Sequence, residues 1–114
     1  MLINIYYSTK DIVENPVFGV GIIDENAKLY YGTNTKVKHC DIPYIKGKGK
    51  ISVLIDSIPL LSGRYYFQVA IVSSDLKETF DWIQKAKHFI VINATDDIGE
   101  ILFSCKWDIQ QNRQ

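Results

Sequence analysis

Tyr30, Tyr66, Gln68 and His88 stand in segments otherwise built of small and apolar residues, with Arg64 and Trp82 close by in sequence. A planar amide and an imidazole bond to hydroxyl groups. Phenol and indole rings cover patches of C–H with large contact area at low entropic cost. Together these groups suit a polyhydroxylated ring. Other chemistries fit less well. His39, Cys40 and Asp41 are adjacent, with His88 and Cys105 elsewhere, but adjacent ligands on an extended chain do not converge on one metal, and no Cys-x-x-Cys or His-x-x-x-His spacing occurs. Nothing in the chain suggests a cysteine or serine nucleophile assembled with a histidine and an orienting acid. Asp24, Asp56, Asp81, Asp96 and Asp97 could supply the carboxylate pair of a glycosidase, yet most fall in turn-like stretches, where aspartate bonds to backbone. The expectation is a binding protein with no catalysis, metal or cofactor.

The elements that must position these residues are strands. Ile3, Ile5 and Tyr7 alternate with Leu2, Asn4 and Tyr6. Phe18, Val20 and Ile22 alternate with Gly19, Gly21 and Ile23. Asp24 to Lys28 reads as a hairpin turn into residues 29–34. Further alternating runs cover 51–56, 65–72, 88–93 and 100–107. Period two with β-branched and aromatic residues marks half-buried strands, and many short runs at close spacing predict an all-β, Ig-like, two-sheet antiparallel β-sandwich. The stretch 75–87 is expected to hold one or two short helical turns, with Asp81 as a cap. Residues 36–50, containing Lys36, Lys38, Lys46, Lys48 and Lys50, are expected to form a long basic loop. It would meet an acidic glycan, a phosphate-linked lipid carrier or a membrane surface, or simply be solvated.

The chain has 114 residues, enough for a single domain spanning 1–114 with one core. The hydrophobic fraction of 46% excludes disorder. Lys+Arg and Asp+Glu are both 13, which argues against a nucleic-acid partner, because such a partner selects an excess of basic charge. No apolar run approaches the roughly 20 residues of a membrane span, and no secretory leader is visible. Cys40 and Cys105 are expected to be buried thiols of a cytoplasmic protein.

Several strings then carry a resemblance. They are Asn15-Pro16-Val17-Phe18-Gly19-Val20, Leu29-Tyr30-Tyr31-Gly32-Thr33-Asn34-Thr35 and Ile58-Pro59-Leu60-Leu61-Ser62-Gly63-Arg64-Tyr65-Tyr66, followed by Asp81, Phe89-Ile90-Val91, Gly99-Glu100-Ile101-Leu102 and Trp107. Their order and spacing resemble the C-terminal carbohydrate-binding domain of Wzt, the nucleotide-binding subunit of bacterial O-antigen polysaccharide ABC transporters. The resemblance implies recognition of O-antigen polysaccharide, work beside a transporter ATPase domain and permease at the inner face of the bacterial inner membrane, and a homodimer, in known cases formed by exchanging a terminal strand. No phosphate loop of an ATPase domain is present, and the strand that usually opens the module is expected to be missing.

The matched strings read mainly as structure. Pro16 suits a strand start. Pro59 and Gly63 bracket a corner between sheets. Tyr65 is expected to point inward with its hydroxyl on backbone, Asn34 to bond a nearby turn, and Trp107 to be core or dimer contact. If 17–24, 29–34, 65–72 and 88–93 share a sheet, Phe18, Val20, Ile22, Tyr65, Phe67, Val69, Phe89 and Val91 face inward. Gly19, Gly21, Tyr30, Gly32, Tyr66, Gln68, Ala70 and His88 then face outward. This predicts a shallow carbohydrate groove floored by Gly19, Gly21 and Ala70, with Tyr66 and Tyr30 stacking, Gln68 and His88 bonding hydroxyls, and Arg64 and Trp82 at the rim. The alternative is an Ig-like protein–protein or dimerisation module without glycan binding, whose glycines serve twist or a bulge.

Overall fold

A computed structural model describes residues 1–93 and 95–111. The strands are β1 (Leu2–Glu14), β2 (Val17–Ile23), β3 (Leu29–Asn34), β4 (Tyr44–Leu54), β5 (Gly63–Val72) and β6 (Thr79–Val91). They form an antiparallel pair, β1-β4, facing a four-stranded antiparallel sheet in the order β3-β2-β5-β6. The fold is the all-β sandwich that the alternation predicts. No helix among the described residues is long and apolar enough to cross a membrane.

The core lies between the sheets. Phe18, Val20, Ile22, Tyr65 and Phe67 are buried on one parity of β2 and β5. Ile22, Tyr65 and Phe67 cluster with Leu60, and Ile3, Ile55, Ile58, Phe89 and Val91 pack partly buried against that cluster. The ring of Phe89 stacks on Phe67 at 4.6 Å and on Tyr65 at 5.7 Å, which adds aromatic attraction to area burial. Tyr7 of β1 meets Phe18 across the gap at 5.8 Å. The Tyr7 ring also lies against the backbone of its cross-strand partner Gly49, where any Cβ would collide with it.

The connections follow local chemistry. Pro16 stands immediately before β2, where no ladder donor is needed. The β2–β3 turn is held by Asp24: its Oδ1 accepts the backbone N–H of Asn26 and of Lys28, both at 2.9 Å. Residues 55–62 carry the chain from the small sheet to the large one. There the Tyr65 hydroxyl donates to the Leu61 carbonyl at 2.8 Å, and burial raises the Tyr65 phenol above its ordinary pKa.

Several expectations are corrected. Residues 79–91 form an edge strand, not helical turns, and Asp81 accepts the N–H of Trp82 within it. The sequence hid this strand because its first ten residues are exposed on both faces, so no apolar period marks it. Residues 44–54 are strand, so the loop is shorter than expected, and Lys46, Lys48 and Lys50 lie on one face of β4. Residues 100–107 form only a bridge, Leu60 to Ile101, closed by Leu61 N–H to Glu100 O at 3.0 Å and Leu102 N–H to Pro59 O at 2.8 Å. Beyond it Phe103 and Trp107 are exposed, so Trp107 is not core. Cys40 and Cys105 are exposed free thiols, not buried ones. The described chain measures 78 × 27 × 23 Å with a radius of gyration of 19.0 Å, against about 13 Å for a compact domain of about 100 residues.

Candidate functional site

The outer face of the large sheet is set by register. Gly19 of β2 pairs with Asn34 of β3 on one side and with Ala70 of β5 on the other, and Ala70 pairs with Trp82 of β6. A transverse row thus runs Asn34, Gly19, Ala70, Trp82, spanning about 14 Å over three strand spacings. The next row runs Gly32, Gly21, Gln68. The one after holds Ile23, Tyr66 and His88. Arg64, opposite Ile90, lies one row further out and is exposed.

The first row and part of the second carry a shallow groove of about 260 Å3 whose lining includes Gly19, Gly32, Asn34, Gln68, Ala70 and Trp82, while Gly21, Tyr66 and His88 lie outside it. Its floor lacks side chains in the middle. A Cβ on Gly19 would meet Thr33 O at 3.6 Å and Asn34 Cβ at 3.7 Å, ordinary contact distances, so a methyl group would fit there without displacing a neighbour. Gly21 is different. A Cβ there would sit 2.7 Å from Gln68 Nε2 and 2.9 Å from Gln68 Cγ, so the Gln68 side chain lies flat across this backbone. The ends of the same parity are closed: Val17 is 5% exposed and Ile23 is 1% exposed.

Two tyrosines behave differently from each other. Tyr66 faces outward and is half-buried, its ring 6.4 Å from that of His88. Lys85 Nζ sits 4.9 Å from the Tyr66 centroid and also donates to the Glu25 carbonyl at 3.2 Å, so a cation occupies one face of that ring. Tyr30 is corrected to the inner face. The β2–β3 ladder shifts register between Ile22 and Ile23, leaving Tyr30 between the paired Leu29 and Tyr31. An inserted residue of this kind reverses the parity of its neighbours. Tyr30 packs edge-on against buried Tyr65 at 5.4 Å, its hydroxyl donates to Asp24 Oδ2 at 3.3 Å, and burial raises its phenol pKa.

The structure therefore brings Gly19, Gly21, Gln68, Ala70 and Trp82 together, with Tyr66 and His88 in the adjoining row. It sets Arg64 apart and removes Tyr30. Trp82, 58% exposed at the sheet edge, becomes the open aromatic surface of the groove. Sequence reasoning assigned Asn34 only a turn role, which it has, since Oδ1 accepts Val37 N–H at 2.7 Å; it is also the groove's opposite wall. Lys85 carried no signal, because the β5–β6 register shift between Phe67 and Val69 decides its face. Asp24 and Asp75 are held below the ordinary carboxylate pKa. For Asp24 the leading cause is the backbone N–H of Lys28, and for Asp75 the hydroxyl of Ser73. Both carboxylates serve turns.

The architecture is that of an antiparallel β-sandwich with a shallow groove on the outer face of its larger sheet. The chain belongs to the family described as the Wzt C-terminal domain, whose match covers residues 1–102. It is similar to a solved structure described as the crystal structure of the C-terminal domain of Wzt, with a TM-score of 0.73 and 19% identity over 96% of this chain and 68% of that one. Among curated proteins none matches.

Proposed function

We propose that the outer groove of the β3-β2-β5-β6 sheet recognises O-antigen polysaccharide without acting on it, and so gives an ABC exporter its substrate specificity. Family membership supports a role with an O-antigen transporter. The observation that carries the glycan reading is the row Asn34, Gly19, Ala70, Trp82 beside Gln68. The bare floor admits a sugar ring close to backbone, Trp82 offers a stacking face, and the Gln68 amide, which has no hydrogen-bond partner among the described residues, is free for hydroxyls. Such a site works at the cytoplasmic face of the inner membrane, beside the ATPase domain and permease. Of the carboxylates that could serve a glycosidase pair, Asp24 is engaged in the β2–β3 turn, which supports a binding role.

Titration with the O-polysaccharide of the source strain tests this. Resonances of Gln68 and the Trp82 indole shift on binding, and Trp82→Ala weakens it. Unchanged spectra at saturating glycan would remove the reading.

The same proposal includes a homodimer. Ile101, Phe103, Cys105, Trp107 and Ile109 alternate along the terminal segment, and the apolar members are 53%, 77%, 86% and 71% exposed. Apolar residues at alternate positions are the pattern of a strand with one face to bury, and this segment has no partner strand among the described residues. A second copy supplies one through the cleft of about 620 Å3 between the sheets, lined by Ile22, Tyr30, Ile55 and Leu60. Light scattering reads the mass: Trp107→Ser shifts the dimer toward monomer, and a monomeric parent chain would refute the assignment. Dimerisation with no glycan response would favour a protein–protein module.

A further inference from the structure

The outer face of the small sheet has a composition that the groove does not explain. Lys46, Lys48 and Lys50 are exposed at alternate positions of β4, so their ammonium groups project from one side. Leu2 pairs with Leu54 at one end of this face, and Tyr6 pairs with Lys50 in the middle. These apolar and aromatic side chains are exposed: Leu2 60%, Leu54 68%, Tyr6 75%. None of the three lysines is in ion-pair contact with a carboxylate among the described residues. The sheet's acids are Asp11, within the stretch between Thr9 and Val13 that stands opposite Lys46, and Glu14, opposite Tyr44; neither is in ion-pair contact with a lysine among the described residues.

We propose that this face of β1-β4 docks on the surface of an anionic lipid bilayer. Three unpaired cations in a row of about 14 Å match a plane of anionic headgroups, and the exposed Leu2, Leu54 and Tyr6 enter the interfacial layer. A soluble acidic polysaccharide fits less well. The glycines of β4, Gly47 and Gly49, have inward parity, so the outer face has no bare floor to seat a sugar ring, and the leucines offer such a polymer nothing. The lipid-facing side is opposite the glycan groove, so both surfaces can be occupied at once. This inference stands independently of the glycan reading.

The test is co-sedimentation of the chain with vesicles of phosphatidylcholine alone and of phosphatidylcholine with an equal part of phosphatidylglycerol. Binding to the anionic vesicles, reduced by salt, is expected. Replacing all three of Lys46, Lys48 and Lys50 by Ser should lower partitioning on the order of 100-fold, at roughly fivefold per lysine. The charge-matched replacement of Lys77, Lys87 and Lys106 by Ser should leave it largely intact, with thermal unfolding checking both folds. The proposal is overturned if the parent ignores anionic vesicles, if both triple variants lose binding equally, or if Lys46, Lys48 and Lys50 retain a soluble acidic polysaccharide but not the vesicles.

Discussion

Gln68 lies flat over Gly21, its cross-strand partner, so closely that a methyl group on Gly21 would meet the Gln68 amide at 2.7 Å. The glycine is therefore a seat for a side chain and not an open floor. Gly21→Ala displaces Gln68 and lowers stability, while the same change in a Gln68→Ala background is much milder. A double-mutant cycle by denaturant unfolding should return a coupling of about 1 kcal/mol. Additive effects would mean that the two residues do not share this space.

Gly19 makes the contrasting case. Its added Cβ has no neighbour nearer than 3.6 Å, and its backbone is in an ordinary strand, so Gly19→Ala leaves the fold intact or slightly stabilises it. It also raises the groove floor between Asn34 and Ala70. The expected pair of results is an unchanged or higher Tm with weaker glycan binding. Trp82→Ala, at the exposed edge, should likewise spare stability and cost about tenfold in Kd through the lost stacking face.

The Tyr65 hydroxyl bonds the Leu61 carbonyl at the corner between the sheets. Tyr65→Phe keeps the ring against Phe89 and leaves that buried carbonyl unpaired, a loss of roughly 1–2 kcal/mol. A lowered unfolding midpoint with unchanged glycan affinity is the expected outcome, because the corner lies away from the groove.

Acid should loosen the β2–β3 hairpin. The turn donors of Lys28 and Asn26 hold the Asp24 carboxyl below its ordinary value of 3.8. A depressed folded pKa contributes stability that is present above the unfolded value and is lost as pH falls through the folded one. Thermal melts from pH 6 downward, a range set by the usual carboxylate pKa, should show a decline below the ordinary value of 3.8 that Asp24→Ala reduces.

How far the sequence was legible depended on whether one face of an element was buried. β2 and β5 were readable residue by residue, since Phe18, Val20, Ile22, Tyr65 and Phe67 fall on one buried parity. The small-residue set opposite them followed from the same period. β6 was not readable before His88, because an edge strand exposed on both faces carries no alternation. The lysine-rich half of β4 was mistaken for loop for a related reason: lysine and glycine are poor strand formers, and pairing with β1 overrides that preference.

The sequence by itself determined the class of fold and the small, polar character of the outer sheet face, because side-chain direction along a strand is a local property of backbone geometry. Only the tertiary structure decided which aromatics reach that face. The register shift beside Ile23 turned Tyr30 into the core, the shift beside Phe67 brought Lys85 over Tyr66, and pairing with Ala70 left Trp82 at the groove's edge. A bulge is created by two strands together, so it has no signature in either alone, and shifting the register by one residue exchanges the faces of everything beyond it.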